Sequence, residues 1–249
     1  MKKEIILNNL IKTYLNELNP ISSGELKRKC DLPFSPSTIR NYFQKLDGEG
    51  LILKVHISSG SIPSNRALQK YWYDNLNFDN INISKDKLLE ASKKFDVFIS
   101  FKHKENLILK SVLNVENRFI ILDFQKEEIV LKFSNEMFHL FKEFINYSLE
   151  DIKKMLKLIK LDNIRNKFSI NEFENYNREF LYKHYKDFSI DNLLSEKIFE
   201  EFQKGLSFNK DFMVYKIDAF IEDKESEFIV LGNLYNNYIS LFNSIKEVG

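Results

Sequence analysis

Hydrophobic positions in the first 50 residues predict three helices separated by short turns. Apolar residues recur at helical spacing from Ile6 to Leu18, and the pattern stops before an Asn-Pro pair. The segment Ser22 to Cys30 begins with a capping box, a serine followed three residues later by a glutamate, which indicates a second helix. In the segment Ser35 to Gly48, a serine N-cap precedes a proline, whose missing N–H costs nothing at the first helical position. A third helix is expected there.

A hairpin and a fourth helix are predicted next along the chain. The residues from Leu51 to His56 favour a strand, which leads into the turn-forming run Ile57 to Ser61. Ser64 can cap the fourth helix. Helices followed by such a β-wing indicate a winged helix-turn-helix over residues 1–77, and the polar run 77–82 marks its boundary.

The third helix has one apolar face and one polar face. Ile39, Phe43 and Leu46 share the apolar face at i, i+4 and i+7, which predicts burial against the first two helices. The opposite face offers hydrogen bonds and charge, as expected of a recognition helix that contacts base edges in the major groove of DNA. The residues predicted on this face are Ser37, Arg40, Asn41, Gln44 and Lys45.

Two further groups of residues are expected to contact the DNA backbone. The first turn of the third helix has free backbone N–H groups that favour a phosphate, and it carries Ser35, Ser37 and Thr38. The wing lies beside the recognition helix in this fold type and is expected to set register and affinity. Its predicted contact residues are Lys54, His56, Ser58, Ser59 and Ser61.

Charge is distributed unevenly, although the net charge of the 249 residues is only +1. Residues 1–78 carry 11 lysines and arginines against 7 acidic residues, whereas residues 79–249 carry 26 against 29. A basic segment suits a polyanionic partner at one end of the chain. A polar helix face can also be an ordinary solvated surface or can serve protein contacts, so the pattern leaves both DNA binding and protein assembly open.

Beyond residue 82, predicted strands and helices are mixed, which indicates an α+β fold. Three apolar stripes at helical spacing follow or separate the strands, and the segment 148–208 has a nearly all-helical pattern. The predicted strands cover residues 96–101, 107–115, 119–124, 129–133, 212–221 and 228–231.

Two segments of the N-terminal region carry a dense resemblance to a known family. The run Phe34 to Asn41 and the wing His56 to Ser64 resemble the signature of the heat-inducible transcription repressor family, HrcA. Gly50-Leu51 between them fits as well. The wing differs at Ser61, where the family has an arginine, and Ala67-Leu68-Gln69 replaces the usual Gly-Tyr-Arg that follows.

The resemblance implies an α+β chain of three parts: a winged helix-turn-helix DNA-binding domain over 1–77, a GAF-like domain over 83–147 and 209–249, and an inserted helical dimerisation subdomain over 148–208. It further implies a homodimer that binds double-stranded DNA at an inverted-repeat operator and represses chaperone operons, with the chaperonin supporting its activity. A cytoplasmic location is expected from the charged start of the chain and its single cysteine. The alternative is a winged-helix regulator of other genes, or a protein-assembly module, that senses a ligand through the GAF-like domain.

Other classes of function find little support in the sequence. The four histidines lack metal-ligand spacing, and the single cysteine, Cys30, can form neither an intrachain disulfide nor a cysteine-based zinc site. Two Ser-x-x-Lys matches, at 84–87 and 207–210, are short enough to recur by chance, so we predict no enzymatic activity and no cofactor. No apolar run approaches the roughly 20 residues that span a bilayer, so no membrane association is expected.

Overall fold

The computed structural model describes residues 2–56, 60–104, 107–168, 173–184 and 190–247, and it has the mixed α+β character that the sequence predicts. Within these ranges, no helix is both long and apolar enough to cross a membrane. The helices are α1 (Lys2–Glu17), α2 (Ser23–Cys30), α3 (Pro36–Gly48), α4 (Asn65–Asn75), α5 (Leu88–Lys94), α6 (Asn135–Glu143), α7 (Leu149–Leu158), α8 (Asp162–Arg165), α9 (Arg178–His184), α10 (Ile190–Leu193), α11 (Ile198–Glu201) and α12 (Tyr238–Ile245). The strands are β1 (Ile52–His56), β2 (Gly60–Pro63), β3 (Ile81–Ile83), β4 (Val97–His103), β5 (Ser111–Val115), β6 (Phe119–Asp123), β7 (Glu128–Lys132), β8 (Phe173–Tyr176), β9 (Gly205–Asn209), β10 (Phe212–Ile221) and β11 (Lys224–Asn233).

Side-chain caps define where the N-terminal helices begin. The Ser22 hydroxyl accepts a hydrogen bond from the Glu25 N–H, and the Glu25 carboxylate accepts one from the Ser22 N–H, which confirms the predicted capping box. The hydrogen bond that the Ser22 N–H donates also holds the pKa of the Glu25 carboxyl below its usual value. Asp31, in the left-handed region at φ 44°, ends α2 and allows the chain to reverse toward α3.

A small core holds the first three helices and the hairpin together. Helices α1, α2 and α3 and strand β1 bury apolar side chains against one another, and β1 pairs with β2 in an antiparallel hairpin from Ile52↔Pro63 to His56↔Gly60. The fully buried members of this core include Ile6, Leu10, Leu26, Ile39, Leu46 and Ile52.

A larger core joins α1 and α4 to the rest of the chain. Ile11 and Leu15 of α1 pack with α4, α5, α12 and one face of the large sheet. Trp72 of α4 is fully buried, and its indole N–H donates to the carbonyl oxygen of Leu234 at 2.7 Å. The predicted boundary near residues 77–82 therefore does not separate two compact units, because contacts unite residues 1–101 and 174–249.

The large sheet has six strands in the order β3-β10-β11-β4-β8, with β9 pairing the same edge of β10 as β3. Its centre is the ten-residue hairpin of β10 and β11, which runs in register from Phe212↔Asn233 to Ile221↔Lys224. Glu222 and Asp223, which connect the two strands, both have positive φ, as a two-residue turn that matches the strand twist requires.

Residues Lys102–Phe173 form a second compact unit. In it, β5, β6 and β7 make a three-stranded antiparallel sheet, and one face of that sheet packs with α6, α7 and α8 around a separate hydrophobic core. The other face of the sheet consists of side chains that alternate with the buried ones and lie at the surface.

The predicted division at 83–147, 148–208 and 209–249 does not coincide with these units. The strands predicted within 107–133 belong to the unit Lys102–Phe173, which we call the inserted unit, since their inner face packs on the helices that follow them. The segment 148–208 is not all helical either, because β8 and β9 within it pair with β4 and β10 of the large sheet.

We expect the substitution Trp72→Phe to lower the free energy of unfolding by about 1–3 kcal/mol, because it leaves the buried Leu234 carbonyl without a donor. The adjacent Tyr73→Phe is the matched control: Tyr73 is 63% exposed, and its loss of a hydroxyl should change stability by less than about 0.5 kcal/mol. Urea unfolding followed by far-ultraviolet circular dichroism measures both. Equal midpoints for the two variants would contradict the role assigned to the indole N–H.

Candidate nucleic-acid interface

Helix α3 presents its polar face to solvent. Ile39 and Leu46 are fully buried and Phe43 is 6% exposed, so the apolar stripe holds the helix against the small core. The residues on the opposite side are exposed, as predicted for Ser37, Arg40, Asn41, Gln44 and Lys45.

The polar side chains of this face are available for an external partner. In the described ranges, the side chains of Arg40, Asn41 and Gln44 take part in no hydrogen bond or ion pair with the rest of the chain. The ammonium of Lys45 lies 5.4 Å from the centre of the Tyr42 ring, a cation–π contact that leaves its hydrogen-bond donors free. This face therefore combines fixed backbone positions with unsatisfied donors and acceptors.

Hydroxyl groups cluster at the first turn of α3. The Ser35 oxygen lies 2.8 Å from both the Ser37 and Thr38 hydroxyl oxygens and accepts from the Thr38 N–H at 3.1 Å. Ser35 thus caps the helix as predicted, and Pro36 occupies its first position. The Ser37 N–H belongs to the first turn, where helix geometry supplies no backbone acceptor.

The hairpin carries the remaining predicted residues. The Lys54 ammonium lies 3.2 Å from the Asp47 carboxylate at the end of α3, and half of the lysine side chain is exposed. His56 closes β1 opposite Gly60, whereas Ser58 and Ser59 lie outside the described residues.

Ser61 lies inside the hairpin rather than on its surface. Its side chain is 3% exposed, and its N–H and C=O groups pair with the carbonyl and N–H of Ile21 at 3.0 and 2.9 Å. Ile21 therefore forms a bridge along the edge of β2, so close that a Cβ at Gly60 would meet the Ile21 backbone at 2.6 Å. The prediction that Ser61 contacts DNA does not fit this position.

The last turn of α2, which holds no predicted site residue, carries three consecutive basic residues. Lys27, Arg28 and Lys29 are exposed at a turn that leads directly to α3. The run of three positive charges is visible in the sequence and could have marked α2 as a candidate contact. Which of these three cations can bind a partner depends on which are already paired with a carboxylate, and the pairing is visible only in the structure.

Ionisable clusters elsewhere have a structural explanation. Lys204 lies 2.8 Å from Asp218 and 2.9 Å from Asp79, and these hydrogen-bonded carboxylates raise the pKa of its ammonium. Burial raises the pKa of Tyr176, whose hydroxyl donates to Glu174. Within the described ranges, no cluster of three or more His, Cys, Asp or Glu side chains could hold a metal ion.

Comparisons with known proteins agree on one family. Residues 72–249 match the model of the HrcA C-terminal domain. The heat-inducible transcription repressor HrcA of Helicobacter pylori (strain ATCC 700392 / 26695) is 30% identical over 252 residues, which cover 99% of this chain and 95% of the relative. The repressor of the same name from Dehalococcoides mccartyi (strain ATCC BAA-2266 / KCTC 15142 / 195) is 37% identical over 70 residues, 28% of this chain and 20% of the relative.

A solved structure shares the overall fold of this chain. It is described as the crystal structure of a hypothetical protein at 2.2 Å resolution. The two chains are 16% identical with a TM-score of 0.51, and the match covers 98% of this chain and 94% of the other. At this identity the likeness supports the fold alone.

The cap of α3 leads to a stability prediction. Ser35→Ala should lower the free energy of unfolding by about 1 kcal/mol, because the Thr38 N–H loses its acceptor. Ser35→Asp keeps an acceptor of similar length and should retain most of the stability. Urea unfolding compares the two variants, and an equal loss in both would show that the cap is not the reason.

Proposed function

Because this chain belongs to the HrcA family of heat-inducible transcription repressors, we propose that residues 1–77 form a winged helix-turn-helix that holds the protein on operator DNA. The observation that carries the proposal is the exposed, unpaired polar face of α3. The partners we propose are double-stranded inverted-repeat DNA, a second copy of the chain and, as the family resemblance implies, the chaperonin. The six-stranded sheet and its helices correspond to the proposed GAF-like domain.

The dimensions and chemistry of α3 suit a major groove. Thirteen helical residues span about 20 Å, and the major groove of B-form DNA is about 12 Å wide, enough to admit one helix. Arg40 and Gln44 are one helical turn apart, as are Asn41 and Lys45, so two rows of donors run along the exposed face. Arginine pairs with guanine, and asparagine or glutamine pairs with adenine.

The first turn and the hairpin supply the proposed backbone contacts. Ser35, Ser37 and Thr38 would face a phosphate at the start of α3. In the wing we retain Lys54, His56, Ser58 and Ser59 as contact residues. The ion pair between Lys54 and Asp47 must exchange for a phosphate on binding, so we expect Lys54 to contribute less than an unpaired cation.

We further propose that two copies associate through the inserted unit. The outer face of its three-stranded sheet carries a row of apolar side chains in register, Leu113, Ile121 and Val130, with Val115 and Phe119 beside it. Leu113 and Val130 are 51% and 53% exposed, and a contiguous apolar surface of this kind is typical of interfaces. We name these five residues the outer sheet face.

Charge at the two ends of the outer sheet face favours a second copy as its occupant. The acidic residues Asp123 and Glu128 are cross-strand neighbours at one end of this face. Lys132 lies at the other end, as the cross-strand neighbour of Phe119. A two-fold axis perpendicular to the strands would place Lys132 of each copy against the acidic end of its partner. Self-complementarity of this kind is what a two-fold interface requires.

The test of DNA binding uses a labelled duplex that carries an inverted repeat from upstream of a chaperone operon, with a scrambled duplex as competitor. Affinity for the repeat should exceed that for the scrambled duplex, and its logarithm should fall linearly with the logarithm of salt concentration. Arg40→Ala should weaken operator binding by about 1–3 kcal/mol and reduce the preference for the repeat, because a lost base contact reduces discrimination.

The matched control for Arg40→Ala is Lys93→Ala, which removes the same charge from the exposed surface of α5. Operator affinity of this control should stay near that of the unmodified protein. An Arg40→Ala protein with unchanged affinity and unchanged preference would remove α3 from the proposed interface.

The dimer proposal predicts that Val130→Asp yields a monomer, because a carboxylate would be buried in the apolar centre of the interface. Leu158→Asp is the matched control in the same unit: Leu158 is 76% exposed on α7, outside the outer sheet face. Sedimentation velocity measures the mass of each variant, and circular dichroism verifies its fold. A dimeric Val130→Asp protein, or a monomeric Leu158→Asp protein, would place the contact elsewhere.

A further inference from the structure

We propose that Lys27 and Arg28 of α2 bind DNA phosphates beside the recognition helix and hold it in register. This inference rests on the proposed DNA-binding function and extends it to a helix that sequence analysis did not assign.

Ion pairs divide the basic residues around α3 into two groups. Three lysines have carboxylate partners within the chain: Lys3 with Glu49, Lys29 with Glu17 and Lys54 with Asp47. The side chains of Lys27 and Arg28 are exposed, and neither forms an ion pair or a hydrogen bond within the described ranges, although the charge of Arg28 helps to lower the pKa of Glu25. A phosphate can therefore bind them without displacing an acidic side chain.

The burial of Leu26 and the ion pair of Lys29 show how α2 is oriented. Leu26 is fully buried, and Lys29 contacts Glu17 of α1, so α1 lies along the Lys29 flank of the helix. At about 100° per residue, Lys27 projects about 160° away from Lys29, on the flank that α1 does not occupy. Arg28 projects between them, away from Leu26 and toward solvent.

The turn after α2 brings these cations next to the recognition helix. The left-handed Asp31 reverses the chain, and only four residues separate the last residue of α2 from the Ser35 cap of α3. The two helices also pack against each other. The last turn of α2 thus lies beside the first turn of α3, where a DNA strand that passes the Ser37 hydroxyl would meet Lys27 and Arg28.

Phosphate contacts and base contacts have different experimental signatures. A cation that neutralises a phosphate contributes about 0.9 to the slope of log affinity against log salt, and it carries no sequence information. Loss of Lys27 and Arg28 should therefore reduce the slope and the affinity for every duplex, and should leave the ratio of operator to scrambled affinity unchanged. Loss of a base contact would instead change that ratio.

The test compares the double variant Lys27→Gln and Arg28→Gln with the single variant Lys29→Gln in the full chain. Glutamine keeps a similar helix propensity, so α2 should be preserved, and thermal unfolding verifies this. Binding to the inverted-repeat and scrambled duplexes is measured at several salt concentrations. In a dimer bound to both half-sites the double variant removes four phosphate contacts and should lower the slope by about 3.6, whereas Lys29→Gln, which removes an already paired charge, should leave the slope near that of the unmodified protein.

Each outcome decides between two separate hypotheses. If the unmodified protein prefers the inverted repeat but the double variant keeps its salt slope, α2 makes no phosphate contact and this inference is wrong. The same holds if Lys29→Gln reduces the slope as much for a single charge, because position would then not matter. If the unmodified protein binds neither duplex, the proposed function fails, and the inference fails with it.

Discussion

The first helix is buried on two sides, and the placement of the whole N-terminal region depends on that burial. Ile6 and Leu10 belong to the small core under α3, whereas Ile11 and Leu15 belong to the large core of the six-stranded sheet. Residues in the same helix cannot move independently. The position of α3 is therefore set by packing against the body of the chain and not by a flexible linker.

Helix α4 reinforces this arrangement from the other end of the hairpin. Its cap, Ser64, donates to the Gly50 carbonyl at the end of the α3 segment, and Trp72 donates to Leu234 just beyond β11. Two polar links at the surface, Asn16 with Asn237 and Asn65 with Asp211, join the same parts. Since a binding surface must be held rigidly to select one partner, the large core supports the proposed DNA contacts as well as global stability. Unfolding of that core would withdraw the support of α1 and α4 from α3.

Sequence reasoning succeeded where structure depends on neighbours in the chain. The helix caps at Ser22, Ser35 and Ser64 formed as predicted, because a cap needs only a hydroxyl and an N–H three residues later. Predictions failed where a residue or strand contacts a partner that is distant in the sequence. The burial of Ser61 depends on Ile21, which lies 40 positions earlier, and β8 is stabilised by pairing with β4 across the inserted unit. Neither relation leaves a local pattern, and for the same reason the boundaries of the inserted unit could not be read from periodicity.

The pairing of charged residues, which matters for the proposed DNA binding, could not be predicted from the sequence either. The excess of basic residues in positions 1–78 is visible in the sequence, but a DNA strand meets local cations and not a net charge. Pairing with Glu49, Glu17 and Asp47 neutralises three of those cations, whereas Lys27 and Arg28 on α2 and Arg40 and Lys45 on α3 form no ion pair within the described ranges. These ion pairs contribute at most about 1 kcal/mol each to the stability of the protein, because they are exposed. Their larger effect is to decide which cations remain available to the proposed interface. The turn after Asp31 brings together two helices whose unpaired cations, Lys27, Arg28, Arg40 and Lys45, would direct a DNA backbone along the start of α3 in the interface we propose.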